Sequence, residues 1–339
     1  MRFLLDDEQA EFGRTLDRML SAAGTPRVVR AWAAGDPGPG RALWSRLAEA
    51  GVFALAVPEA YDGLGPGGPL PVELAVAYVE LGRHVVPGPV VETAAAAALM
   101  ADLPAVAKEW LPRIASSEAV VSLRLDEAAS PRDPYGSCGP YALDADAADA
   151  VFTVSGDELR LAPGHGPLRA SADPARRLFR PSPGGELLAS GPVVRESAAR
   201  AAGWAAFLTA AQSLGVGLAL LHRTVAYTKQ RTQFGAPIGS FQAVKHRIAD
   251  TLLALEFARP LLFGAALSMA PADIAAAKVA AGEAAYAAAR TALQLHGAIG
   301  YTEELDLSLW LRKARPLRDA WGTPGACRAT VLDASVPAP

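Results

Sequence analysis

The stretch from Ala201 to Leu221 is the strongest single constraint on the fold, because it carries no charged residue over a length sufficient to cross a bilayer. Such a segment is either a membrane span or a helix buried on every side. Thr209, Gln212 and Ser213 interrupt it, Gly203, Gly215 and Gly217 lie within it, and alanine dominates it where a span would use leucine, isoleucine or phenylalanine. The composition therefore predicts a core helix with no membrane span, surrounded by other helices. The Gly-Val-Gly triplet at 215–217 follows no strand, so it reads as a place of close helix packing and not as a dinucleotide fingerprint.

Helical periodicity supplies the surrounding elements. The segment from Leu4 to about Leu20 places apolar residues at helical spacing with acids in the first turn. Trp44 to Leu55 and Val72 to Leu81 read the same way, separated by a Gly/Pro-dense stretch that neither helix can enter. Near Ala119 the pattern changes to short β-rich runs among Gly, Pro and Asp turn residues, and after Arg195 alanine-rich periodicity returns. At 339 residues the chain is long enough for two or three packed units. The expectation is an α+β fold: an N-terminal helical domain over 1–117, a small central β domain over 118–194 and a C-terminal helical bundle over 195–339. Strands segregated between helical blocks disfavour an alternating α/β sheet.

Several function classes fall away. Lys+Arg number 32 against Asp+Glu 35, for a net charge of −3, and no basic cluster offers a nucleic-acid footprint. The five histidines are scattered with no HxxxH pair, and Cys138 and Cys327 match no ligand spacing, so no metal is expected. The N-terminus opens on MRFLLDDEQAEF without a basic stretch and apolar core, which points to a cytoplasmic protein.

Two segments carry chemistry. In RTQFGAPIGSFQAVKHRIADT, from Arg231, a guanidinium, an amide and an aromatic at Arg231, Gln233 and Phe234 suit a diphosphate and a flat ring, and the following Gly and Pro let backbone approach. The bland alternative has Arg231 capping a helix and Phe234 in a core. In TALQLHGAIGYTEELDLSLWLRKARPLRDAWGT, from Thr291, Gln294, His296, Gly297 and Gly300 cluster at a helix end, where the bland alternative is a satisfied histidine beside a Gly-rich stop.

Both segments, in this order, resemble the acyl-CoA dehydrogenase family, and LAEAGVFALAVPEAYDGLG and VAYVELGRHVVPGPVVETA resemble its first helical domain. The resemblance implies a C-terminal four-helix bundle and FAD as cofactor. It implies that Arg231 contacts the FAD pyrophosphate of a neighbouring subunit, with Gln242 near the adenine half. By the same resemblance Gln233 and Phe234 belong to the cofactor grip, and Gln294, His296, Gly297 and Gly300 lie against the FAD phosphates. The implied reaction is α,β-dehydrogenation of an acyl-CoA, with electron-transfer flavoprotein as acceptor.

The chain also departs from that pattern. The family's glutamate base usually precedes a Gly-Thr pair, and here Trp321 precedes Gly322-Thr323. An indole has no basic lone pair and can only donate. The alternative base position falls on Ala205. Asp319 and Glu196 lie near these positions, but a misplacement of about 1 Å costs catalysis dearly, so no catalytic residue is assigned. The central segment has SLRLDEAASPRDP and no tryptophan between Trp110 and Trp204, where the family has flavin-ring-binding strands. Cofactor-gripping residues without base or ring contacts match a heteromeric α2β2 arrangement, in which a homologous partner carries the glutamate. Such assemblies are known in the family for CoA thioesters of sterol side chains. A homo-oligomer that binds acyl-CoA or flavin without dehydrogenase activity is the alternative.

Overall fold

The computed structural model describes residues 4–126 and 140–335. Cys138 and most of the SLRLDEAASPRDP stretch lie outside the described residues.

Six helices come first: α1 (Asp7–Ala22), α2 (Thr25–Ala33), α3 (Gly38–Glu49), α4 (Pro71–Arg83), α5 (Val90–Met100) and α6 (Pro104–Ala115). α1 starts at a capping box in which Asp6 accepts from the Gln9 backbone while the Gln9 side chain accepts from the Asp6 N–H. The helix expected over Trp44 to Leu55 stops at Glu49. Gly51, at φ +81°, turns the chain there, and a separate 3-10 turn follows at Ala54–Ala56.

The central strands are β1 (Val121–Leu125), β2 (Ala142–Leu143), β3 (Ala150–Ser155), β4 (Glu158–Leu161), β5 (Leu178–Phe179) and β6 (Glu186–Ser190). Four of them form a sheet in the order β1-β3-β4-β6, while β2 and β5 pair separately. β1 runs parallel to β3 with Val121 opposite Ala150, and the remaining pairings are antiparallel. The sheet is pinned to the first helical block by Thr93 Oγ1 donating to the Val121 carbonyl at 2.8 Å and by an edge-on Trp110–Phe152 contact with centroids 4.9 Å apart.

The C-terminal block comprises α7 (Pro192–Gln230), a two-residue hairpin of β7 (Thr232–Gln233) and β8 (Ala236–Pro237), α8 (Gln242–Ser268), α9 (Pro271–His296), α10 (Leu307–Asp319) and α11 (Pro324–Ser335). The observed order is thus helices, strands, helices. α7 contains the uncharged run, and almost all of that stretch is buried inside the protein, as a core helix requires. α8 is also long and apolar enough to cross a membrane, yet less than half of its apolar stretch is buried, and Leu253, Phe257 and Leu267 are exposed. A face of that kind marks an interaction surface.

Glycines let α7 enter the core. A Cβ on Gly215 would sit 1.9 Å from the Val79 carbonyl oxygen of α4, and one on Gly82 of α4 would sit 2.2 Å from the Gln212 oxygen of α7. The two backbones therefore touch at reciprocal notches. Gly217 plays the same part against Leu255 and Ala285. Gly215→Ala is expected to cost about 3 kcal/mol through overpacking. Gly203→Ala, whose Cβ would meet only Ile274 Cδ1 at 3.8 Å, is expected to be neutral or to stabilise by up to about 1 kcal/mol from helix propensity. Denaturant midpoints of the two variants check this, and equal midpoints would contradict the notch.

Candidate functional site

α7 ends where Arg231 leaves helical geometry at ψ 117°, its N–H still donating to the Tyr227 carbonyl at 2.9 Å. The Arg231 carbonyl then accepts from Ile238 N–H at 2.8 Å and closes the β7–β8 hairpin. Phe234 and Gly235 form its two-residue turn with φ of 54° and 79°, the mirror-image turn that suits strand twist. That conformation is costly for a phenylalanine, and the ring is 93% exposed, edge-on to Phe241 with centroids 6.3 Å apart. Gln233 folds its amide onto the Thr232 carbonyl at 2.8 Å. Gln242 opens α8 and is exposed. The Arg231 guanidinium is exposed and makes no hydrogen bond or ion pair among the described residues.

The end of α9 is tied to the same place. The His296 ring stacks on Tyr227 of α7 with centroids 4.1 Å apart, and the Tyr227 hydroxyl donates to the His296 carbonyl at 3.4 Å. His296 is buried, its Nδ1–H donates to the Ala292 carbonyl at 2.7 Å, and burial pushes the imidazole below its ordinary pKa. This histidine is a neutral strut that locks α9 to α7. Gly297 has φ 62° and ψ −140°, a region reserved for glycine, with open space where a side chain would project. Gly300 is buried, and a Cβ there would press on the Leu293 carbonyl and on His296 Cβ, each at 3.2 Å.

Gln294 is exposed and lines a hollow of about 350 Å³ together with Arg247 of α8 and Arg290, Thr291 and Tyr301. Thr251 Oγ1 donates to Thr291 Oγ1 at 3.2 Å and holds the two helices in register beneath it. Arg247 and Arg290 escape sequence reading because they look like ordinary exposed arginines on helices. Together with Arg231, this end of the bundle presents three guanidinium groups, three side-chain amides, exposed aromatics and open glycine backbone. That donor set fits a diphosphate joined to flat rings.

The position expected to bear a base is filled differently. Trp321 is 3% exposed, sits in the left-handed region at φ 51°, and donates its indole N–H to Glu92 Oε1 of α5 at 2.9 Å. Glu92 is itself buried. The space around this pair, bounded by Val90, Thr209, Gln212, Lys313 and Leu317, has a volume of about 20 Å³. That holds about one water and no acyl chain. The loop is braced from below by the buried Lys278 ammonium, which donates to the Leu317, Arg318 and Gly322 carbonyls at 2.9–3.2 Å. Burial brings Lys278 down to about 8. Ala205 is wholly buried in α7 and offers no titratable group. Asp319 pairs with Arg315 at 3.1 Å, and Glu196 is exposed near the start of α7.

Comparison with known proteins fits this geometry. Residues 6–118 match the N-terminal domain of acyl-CoA dehydrogenases and residues 195–335 their C-terminal domain. The chain is 34% identical over 311 residues to acyl-CoA dehydrogenase IpdE2 of Mycobacterium tuberculosis, covering 91% of each. Among solved structures it superimposes on the Tcur3481–Tcur3483 steroid acyl-CoA dehydrogenase (G363A variant) with a TM-score of 0.83 at 26% identity, covering 96% of this chain and 97% of that one. It shares its fold with a chain of the ChsE4–ChsE5 complex of Mycobacterium tuberculosis, at a TM-score of 0.81 and 23% identity over the full length of both.

Proposed function

Since the chain belongs to the acyl-CoA dehydrogenase family, we propose that it is the non-catalytic subunit of a heteromeric, FAD-dependent acyl-CoA dehydrogenase. Its homologous partner supplies the glutamate base and the flavin-ring contacts, and this chain grips the diphosphate side of the FAD. The observation that carries the reading is Trp321, whose buried indole on Glu92 fills the base position and leaves a cavity of about 20 Å³. Asp319 pairs with Arg315 and Glu196 is exposed, and no carboxylate is assigned to the chemistry.

When bound, FAD supplies the acceptor for the hydride from the acyl β-carbon. Arg231 contributes a planar, permanently charged fork to the diphosphate. Arg247, Arg290 and Gln294 add donors around one hollow, and Gly297 lets phosphate oxygens approach backbone. Stacked Tyr227 and His296 keep the two helix ends at fixed separation, so the donors need little reorganisation on binding. The exposed apolar face of α8 and the outward Phe234 support burial against another subunit. The name of the steroid-type relative supports a bulky acyl-CoA as substrate of the assembly. Electron-transfer flavoprotein is the family acceptor.

Purification of the chain alone and with a glutamate-bearing homologue tests the reading. Alone, it is expected to retain little flavin and to show no acyl-CoA-dependent reduction of ferrocenium. The co-purified heteromer is expected to be yellow and active. A flavin-loaded, active homo-oligomer of this chain alone would overturn the proposal.

A further inference from the structure

A second cavity, of about 350 Å³, lies between α1, α4, α7 and α8, on residues that take no part in the flavin grip. Its walls are apolar, with Val76 and Val79 of α4, Leu214 and Leu218 of α7, Phe263 of α8 and the small Ala10 of α1. Five charged side chains line it as well: Arg14 and Asp17 of α1, Glu80 and Arg83 of α4, and Arg259 of α8. Arg14 is paired with Glu11 at 2.7 Å, but three of the others each have a buried polar atom without a hydrogen-bond partner among the described residues, namely Glu80 Oε2, Arg83 Nε and Arg259 Nε. Leaving a buried donor unmade is costly. Neighbouring groups complete them only in part, His222 Nδ1 lying 3.4 Å from Arg83 Nη1. Asp17 is engaged by His84 at 2.8 Å, and Arg259 reaches Glu256 only through Nη2 at 3.4 Å. Arg83 Nε lies 3.3 Å from Glu80 Oε1 without making a hydrogen bond to it.

We propose that this cavity binds a small amphipathic monocarboxylate, its two oxygens accepting from Arg83 and Arg259 and its alkyl tail lying against Leu214, Leu218, Val79 and Phe263. The volume falls at the low end of small-molecule sites, enough for a free acid and too little for a CoA thioester. Burial raises Glu80 to about 7, so this carboxyl is substantially protonated at neutral pH and repels an incoming carboxylate only weakly. The site is independent of the flavin reading, since none of its residues lies at the Arg231 end of the bundle.

Calorimetric titration of the full chain, alone or in its complex, with octanoate, octan-1-ol and octylamine tests the proposal. Octanoate is expected to bind saturably at one site and at least tenfold more tightly than the alcohol or the amine. Arg259→Gln is expected to weaken octanoate at least tenfold. Should that variant fail to fold, Ala10→Phe on the partly exposed face of α1 fills the cavity from its rim and is expected to give the same loss. Absence of saturable octanoate binding, equal affinity for the three probes, or undiminished octanoate affinity in the folded variant overturns the proposal.

Discussion

Replacing Arg231 with alanine is expected to loosen FAD in the assembled enzyme by roughly ten- to a hundred-fold while leaving the melting temperature of the apoprotein unchanged. The magnitude follows from one charge-assisted hydrogen bond, worth about 1.5–3 kcal/mol. The indifference of the fold follows from the structure. Arg231 ends α7 through its backbone N–H to Tyr227 and its carbonyl to Ile238, both of which alanine keeps, while the guanidinium is exposed. Arg231→Lys is expected to rescue only part of the loss, because an ammonium lacks the fork that spans two phosphate oxygens. Flavin retention on gel filtration and a thermal melt of the apoprotein check both halves. A variant that holds FAD normally but melts lower would make Arg231 a helix cap and nothing more.

Restoring a glutamate at the family's base position is expected to damage the protein and gain no activity. Trp321→Glu removes a buried indole, a loss of about 3–5 kcal/mol in a core, and sets a second carboxylate against Glu92, so that one of the pair must take up a proton. The melting temperature is expected to fall by roughly 10 °C, with no acyl-CoA-dependent turnover by the isolated chain. Trp321→Phe keeps much of the volume and strands only the Glu92 oxygen, for about 1–3 kcal/mol. Turnover by isolated Trp321→Glu protein, without loss of stability, would show that the indole does not close the pocket.

The helical blocks were legible because burial imposes a period on the sequence. The run at Ala201–Leu221 could only be wrapped, and Gly215 and Gly217 announced the helix contacts by their lack of side chains. The sheet was legible as strands but not as topology. The parallel pairing of β1 with β3 depends on a connection whose course no local pattern encodes. Trp321 could be read as the absence of a base, yet its partner could not. Glu92 is an acid in the first turn of an alanine-rich helix, 229 residues away in sequence, and looks like an ordinary helix-dipole residue until the fold brings the indole to it. His296 shows the reverse case. Its motif was visible, but only the Tyr227 stack and the bond to Ala292 reveal a strut.

The long helix α7 sets the aim of Arg231 as a phase. Its 39 residues extend about 58 Å from the sheet to the hairpin. The notch at Gly215 fixes how that shaft is rotated against α4, and each residue beyond it adds about 100° of turn and 1.5 Å of advance. A single residue inserted between Gly217 and Gln230 would leave the notch seated while swinging the terminal guanidinium by more than a quarter turn. The length of that segment therefore matters to the aim of Arg231 as much as the identity of the arginine at its end.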